Sequence, residues 1–278
     1  MKALLTASII TMLCWIPNAI AGKLMVAAAS NLQYAMEDIL EQFRDRHPND
    51  TINVVYGSSG KLSTQIAQGA PYDLYFSADI TYPRQLARQG LAASEVMPYG
   101  VGRIVLWSAT RDASAMTLKD LASEDIQRIA IANPRHAPYG ARAREALEAA
   151  GVWPQIQDKL ILGSNISQAA QFVETGNAQA GIIALSLIMS PRLASSGSYW
   201  LIPDSQHKPL EQGYIITQRA ADNELAWRFS AFLDSDRVRQ IMRDNGFDLP
   251  DDQPGASSID DTTQQSFNAG DQQASSGA

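Results

Sequence analysis

Hydrophobic and polar positions along this chain repeat one unit: a short apolar run, a small polar turn, then apolar residues spaced for one face of a helix. The first unit is the clearest. Residues 24–29 are continuously apolar, Ser30 and Asn31 follow, and Leu32, Ala35, Met36, Ile39, Leu40 and Phe43 fall on one face of a 3.6-residue period. A buried strand running into an amphipathic helix is predicted, with Ser30 and Asn31 at the helix start. The first N–H groups of a helix lack intrahelical acceptors and its dipole places partial positive charge there, so this position suits a capping side chain or a bound anion. Capping is the ordinary role of Ser or Asn, so one such turn carries no functional reading by itself.

The unit recurs. Residues 51–56 read as a strand on β-branched and aromatic content, then come Gly57-Ser58-Ser59-Gly60 and a helix through Leu62, Ile66 and Ala67. Residues 73–78 form a third strand, and a helix with Tyr82, Leu86 and Ala87 stops at Gly90. Beyond Gly100-Val101-Gly102 the pattern predicts strands over 103–108 and 128–132 with a helix over 118–126 between them. The turn 133–140 leads into a helix over 141–150, and a strand over 160–162 runs through Gly163 to Ser167 into a helix over 168–174. Strands over 180–185, 199–202 and 213–217 and helices over 223–233 and 236–244 complete the series. Strand followed by helix, many times over, defines an α/β fold of mostly parallel sheets flanked by helices. Four turns, at Ser30-Asn31, Ser58-Ser59, Pro138-Tyr139 and Asn165-Ile166, then lie at the carboxyl ends of strands, where such folds bind ligands.

Composition narrows the class. The chain has 278 residues, 45% apolar and 18% charged, which is ordinary for a globular protein of one large or two modest cores. Its net charge of −7, with no run rich in Lys or Arg, lacks the electrostatic footprint of a nucleic-acid binder. Residues 1–21 read as a secretory signal: Lys2, an apolar run over 4–16, and Ala19-Ile20-Ala21 before Gly22. That run is too short to span a bilayer comfortably, so the mature chain is expected to be exported and soluble in the periplasm. Cys14, the only cysteine, falls inside this signal, which leaves the mature chain without disulfide or thiolate chemistry. Residues 251–278 are polar, with Ile259 and Phe267 the only large apolar side chains, and are expected to be disordered.

Catalytic patterns are scarce. Of His47, His136 and His207, only His136 lies beside one of the four turns. Gly57-Ser58-Ser59-Gly60 does not match a G-x-S-x-G elbow, and Gly60-Lys61 lacks the earlier glycine and following hydroxyl of a P-loop. Neither zinc nor calcium spacing is present, so no cofactor and no metal site are expected. A non-enzyme is the preferred reading; the rival from another class is an exported serine hydrolase using Ser59 with His136.

Several motifs, in order and at their spacing, carry a resemblance. Ala27-Ala28-Ala29-Ser30, Gly57-Ser58-Ser59-Gly60-Lys61-Leu62, the stretch from Gly69 to Asp79, the turn from Asn133 to Gly140 and Asn245-Gly246-Phe247 together resemble the periplasmic molybdate-binding proteins of ABC transporters, from about Lys23 to Leu249. The resemblance implies a two-lobed, type II solute-binding protein that closes on molybdate or tungstate and delivers it to an inner-membrane ABC permease, working as a monomer. It implies anion contacts from Ser30, Ser59, the Tyr139 backbone N–H and Ile166. Some members add a tyrosine hydroxyl from the strand that here holds Ala184, which has none; Asn31 and the Tyr139 hydroxyl are the expected substitutes. Lobe I is expected at 22–101 plus 213–250 and lobe II at 102–212, with crossings at Gly100-Val101-Gly102 and Gln212-Gly213. The alternative within the class is another oxyanion or a small carboxylate.

Overall fold

The computed structural model describes residues 22–250, so the signal segment and the polar tail read from the sequence lie outside the described residues. In chain order the elements are β1 (Lys23–Ala29), α1 (Gln33–Arg46), β2 (Thr51–Gly57), α2 (Ser59–Ala67), β3 (Leu74–Ser77), α3 (Thr81–Arg88) and β4 (Met97–Gly102), then β5 (Ile104–Ser108), β6 (Ile129–Ala132), α4 (Pro138–Ala149), α5 (Trp153–Ile156), β7 (Leu160–Gly163) and α6 (Ile166–Glu174). They continue with β8 (Ala180–Ala184), α7 (Leu185–Ile188), β9 (Ser198–Leu201), β10 (Leu210–Ile216), α8 (Glu224–Leu233) and α9 (Asp236–Asp244).

Two five-stranded sheets form, in the orders β2-β1-β3-β10-β4 and β7-β6-β8-β5-β9. Within the first, β10 is antiparallel to both of its neighbours while β1 is parallel to β2 and β3. Within the second, β5 is the reversed strand and β6 is parallel to β7 and β8. Each sheet is therefore mixed, with its reversed strand entering from the other lobe. The apolar runs read from the sequence are continuous because helices cover both faces of the first sheet. Val26, Ala28, Leu74 and Phe76 pack with residues of α1, α8 and α9, whereas Ala27, Tyr75 and Ile215 turn to Leu62, Ile66 and Leu86 on α2 and α3.

Three departures from the sequence pattern have physical causes. β4 is not predicted, because Pro98, Gly100 and Gly102 suppress strand propensity; it forms as an edge strand held by β10. The predicted helix over 118–126 shrinks to a 3-10 turn, Leu118–Ala122, opened by a capping box between Thr117 and Asp120. The chain passes from the first sheet to the second between β4 and β5, at residues 102–104. The return crossing lies at residues 202–209, before the expected Gln212-Gly213: β10 already pairs with β4 from Leu210, and Gln212-Gly213 forms a bulge inside that ladder.

Candidate functional site

Of the four turns, three lead into helices whose N-terminal residues have no side-chain cap. The turn Ser30–Leu32 is 3-10 and neither it nor α1 is capped by a side chain, so Ser30 is not the helix cap the pattern suggested. Ser58 and Ala137 precede α2 and α4, also without side-chain capping bonds. Only Asn165 caps, accepting from the Gln168 N–H at 2.9 Å. Uncapped helix starts leave backbone donors for another acceptor.

These donors converge. Ser30, Asn31, Ser59, Tyr139 and Ile166 all line one small cavity, together with Ala29, Gly57, Ser58, Ala78, Ala137 and Pro138. The structure thus brings together all five residues singled out in the sequence, three from lobe I and two from lobe II. None of the lining residues carries a charge. Among the described residues, no hydrogen bond joins the N–H of Tyr139 or of Ile166 to another protein group. The serine hydroxyls are held as acceptors: Ser59 Oγ takes the Ala78 N–H at 3.0 Å and Ser30 Oγ takes the Ser167 N–H at 3.3 Å. Each therefore keeps its own proton for donation, and both side chains are buried.

The two lobes are in contact around this cavity. Ser167 Oγ donates to Ser30 O at 3.0 Å, Ser186 Oγ to Asn31 O at 2.9 Å, and the Gly60 N–H to His136 O at 2.9 Å. Ser167, Ser186 and Gln212 escaped the sequence reading as site residues. Ser167 adjoins the motif residue Ile166, and Gln212 enters the sequence reading only as part of a lobe crossing. The Tyr139 hydroxyl, offered as a substitute donor, accepts instead from Gln212 Nε2 at 3.0 Å, so α4 presents its backbone to the cavity and its tyrosine side chain to the protein.

The hydrolase pairing does not form. Ser58, not Ser59, meets His136, with Oγ and Nδ1 2.9 Å apart, and no carboxylate among the described residues bonds to that imidazole. Burial first, then the Lys61 cation, lowers the His136 pKa. An unfolded chain consequently binds more protons than the native one as pH falls below the ordinary histidine value. The His136 contribution to stability is intact near neutrality and is lost as pH falls through that window toward the depressed native pKa. The thermal midpoint of the wild type is expected to drop further between pH 7.5 and 5.5 than that of His136→Gln, two pH values chosen to lie about one unit either side of an ordinary histidine. Equal drops would show that other groups set the acid response.

A two-lobed α/β chain with uncapped helix starts facing a cavity between its lobes has the construction of a solute-binding protein, and the comparisons agree. The chain belongs to the bacterial extracellular solute-binding protein family, whose model matches residues 24–248. Among its relatives are the molybdate-binding proteins ModA of Rhodobacter capsulatus and Azotobacter vinelandii. Each is 34% identical over 233 residues, covering 82% of this chain and 89% and 91% of the relative. The solved periplasmic molybdate-binding protein of Azotobacter vinelandii superposes with a TM-score of 0.77 at 31% identity, covering 82% of this chain and 99% of that one.

Proposed function

We propose that this chain is a periplasmic binding protein for molybdate, and for tungstate, which it hands to an ABC permease; it binds and does not turn over its ligand. The observation that carries the reading is the donor set itself: Ser30 and Ser59 hydroxyls and the Tyr139 and Ile166 N–H groups around a cavity with no charged lining. The likeness to molybdate-binding proteins supports it. No helix among the described residues is long and apolar enough to cross a membrane.

Neutral donors suit a tetrahedral dianion. Hydrogen bonds to an ionised oxygen are worth about 1.5–3 kcal/mol net each, so a handful offsets association and desolvation costs without a cation that would also hold any carboxylate. Fixed donors also gauge the ion. Molybdenum–oxygen and tungsten–oxygen bonds are longer than sulfur–oxygen bonds, so sulfate in the same ring would leave donors unpaired. A hydrogen phosphate would bring a proton that needs an acceptor, and no carboxylate lines this cavity. Asn31 lines the same cavity; its Nδ2 donates to Gln212 Oε1 at 3.0 Å, and its Oδ1, an acceptor, is buried without a partner.

Calorimetric titration with molybdate, tungstate, sulfate and phosphate tests the reading directly. The first two are expected to bind below about 1 μM, a free energy near 8 kcal/mol, with sulfate and phosphate weaker by a factor on the order of 100 or more. Sulfate binding as tight as molybdate binding would overturn it.

A further inference from the structure

Gln212 sits behind the cavity wall, wholly buried, at the bulge in β10. Its amide meets three residues from three elements. Oε1 accepts from Asn31 Nδ2 at 3.0 Å and from Tyr99 Oη at 2.8 Å, and Nε2 donates to Tyr139 Oη at 3.0 Å. Asn31 and Tyr99 belong to lobe I, Tyr139 to lobe II. The Gln212–Tyr139 bond therefore exists only while the lobes are together. It also lies against the crossing: a Cβ on Gly102 would stand 2.2 Å from Tyr139 Oη and 2.3 Å from Gln212 Nε2.

We propose that Gln212 is a positioning residue that makes lobe closure and the orientation of the Asn31 amide a single event. The inference rests on the anion-binding reading above. Proton accounting carries it. As the amides stand, Tyr99 has one hydroxyl proton between two acceptors, Gln212 Oε1 at 2.8 Å and Ser77 O at 3.1 Å, while Asn31 Oδ1 has no donor. Burial raises the pKa of both Tyr99 and Tyr139, so both hydroxyls stay protonated.

Turning both amides through 180° leaves each heavy atom in place and balances the group. Gln212 Nε2 then donates one proton to Asn31 Oδ1 and the other to Tyr99 Oη, Tyr99 donates to Ser77 O, and Tyr139 donates to Gln212 Oε1. The Asn31 NH₂ replaces the orphan acceptor at the cavity wall and requires an acceptor of its own, which an anion oxygen supplies. With the lobes apart, Tyr139 is gone from Gln212, and the amide that holds Asn31 loses one of its three bonds. Anion, Asn31, Gln212 and Tyr139 are linked in series across the two lobes.

The test is a double-mutant cycle with Gln212→Met and Tyr139→Phe, titrated calorimetrically with sodium molybdate, with small-angle scattering to follow compaction on ligand addition. Each single variant is expected to bind molybdate about ten- to a hundredfold more weakly, and the double variant no more weakly than the weaker single. Compaction at saturating molybdate is expected to be smaller in each variant than in the wild type, a readout that a purely structural role leaves unmoved. Additive losses, or Gln212→Met with wild-type affinity and compaction, would overturn the proposal. Should Gln212→Met fail to fold, Tyr99→Phe, which removes one of the three bonds to Gln212, takes its place with the same expectations. If the wild type takes up no molybdate, the anion reading fails on its own. The same cycle is then read in the unfolding free energy of the unliganded chain, where a coupling between Gln212 and Tyr139 upholds the link and zero coupling overturns it.

Discussion

In calorimetric titration the Ser59→Ala variant is expected to bind molybdate about a hundredfold more weakly than the wild type, the equivalent of one charge-assisted hydrogen bond of up to roughly 3 kcal/mol. Ser59 opens α2 after β2 and is fully buried. The Ala78 N–H already donates to Oγ at 3.0 Å, which leaves the hydroxyl proton for another acceptor; Ser59 lines the cavity, and the Tyr75 hydroxyl is its other polar neighbour. Alanine removes that donor and also strands the Ala78 N–H. The first loss appears in affinity and the second in stability, because Ala78 is buried by the protein itself. A fall in the thermal midpoint of several degrees, as about 1–2 kcal/mol gives in a chain of this size, is expected to accompany the weaker binding. The two are separable with Ser63→Ala, a substitution on the same helix outside the cavity lining, which is expected to leave affinity unchanged. Unchanged molybdate affinity in Ser59→Ala would remove this hydroxyl from the site.

The strand-turn-helix unit made much of this legible from sequence. Continuous apolar runs such as residues 24–29 announce strands covered on both faces, and the polar turns after them mark the sheet ends where Ser30, Asn31, Ser59, Tyr139 and Ile166 meet. What periodicity could not show is anything decided by partners distant in the chain. β4 is a strand only because β10 pairs with it, and its Gly102 serves a close approach at the crossing rather than a break. The direction of a side chain was equally hidden: the Tyr139 hydroxyl reads as a donor to the cavity until Gln212, 73 residues further on, is seen to hold it. Ser30 read as a cap for the same reason, since its true neighbour, Ser167, is 137 residues away. Local chemistry located the donors; the tertiary fold decided where each proton goes.

Gly140→Ala is expected to remove the contribution of α4 to the lobe II side of the site. Gly140 follows Tyr139 in the first turn of α4, and a Cβ there would stand 2.0 Å from the Ala132 carbonyl oxygen, 2.7 Å from its carbon and 3.0 Å from Pro134 N. All three are backbone atoms at the end of β6, so no side chain can swing away to make room. Relief requires the start of α4 to lift off the sheet, carrying with it the Tyr139 N–H that faces the cavity and the Tyr139 hydroxyl that meets Gln212. Overpacking of this kind costs about 1–3 kcal/mol or more where the surroundings cannot yield. Displacement of the helix start by even about 1 Å removes a fixed donor from a site that depends on its placement. Gly69 supplies the contrast, since its Cβ position is open and only its φ of +88° resists substitution. Gly69→Ala is expected to cost about 1–2 kcal/mol of stability, the left-handed backbone penalty, with molybdate affinity intact. Gly140→Ala is expected to lower both the thermal midpoint and the affinity, the latter by a factor on the order of 100 or more because the Tyr139 N–H and the Gln212 bond are displaced together. Wild-type affinity in a folded Gly140→Ala chain would mean that the anion does not use the start of α4.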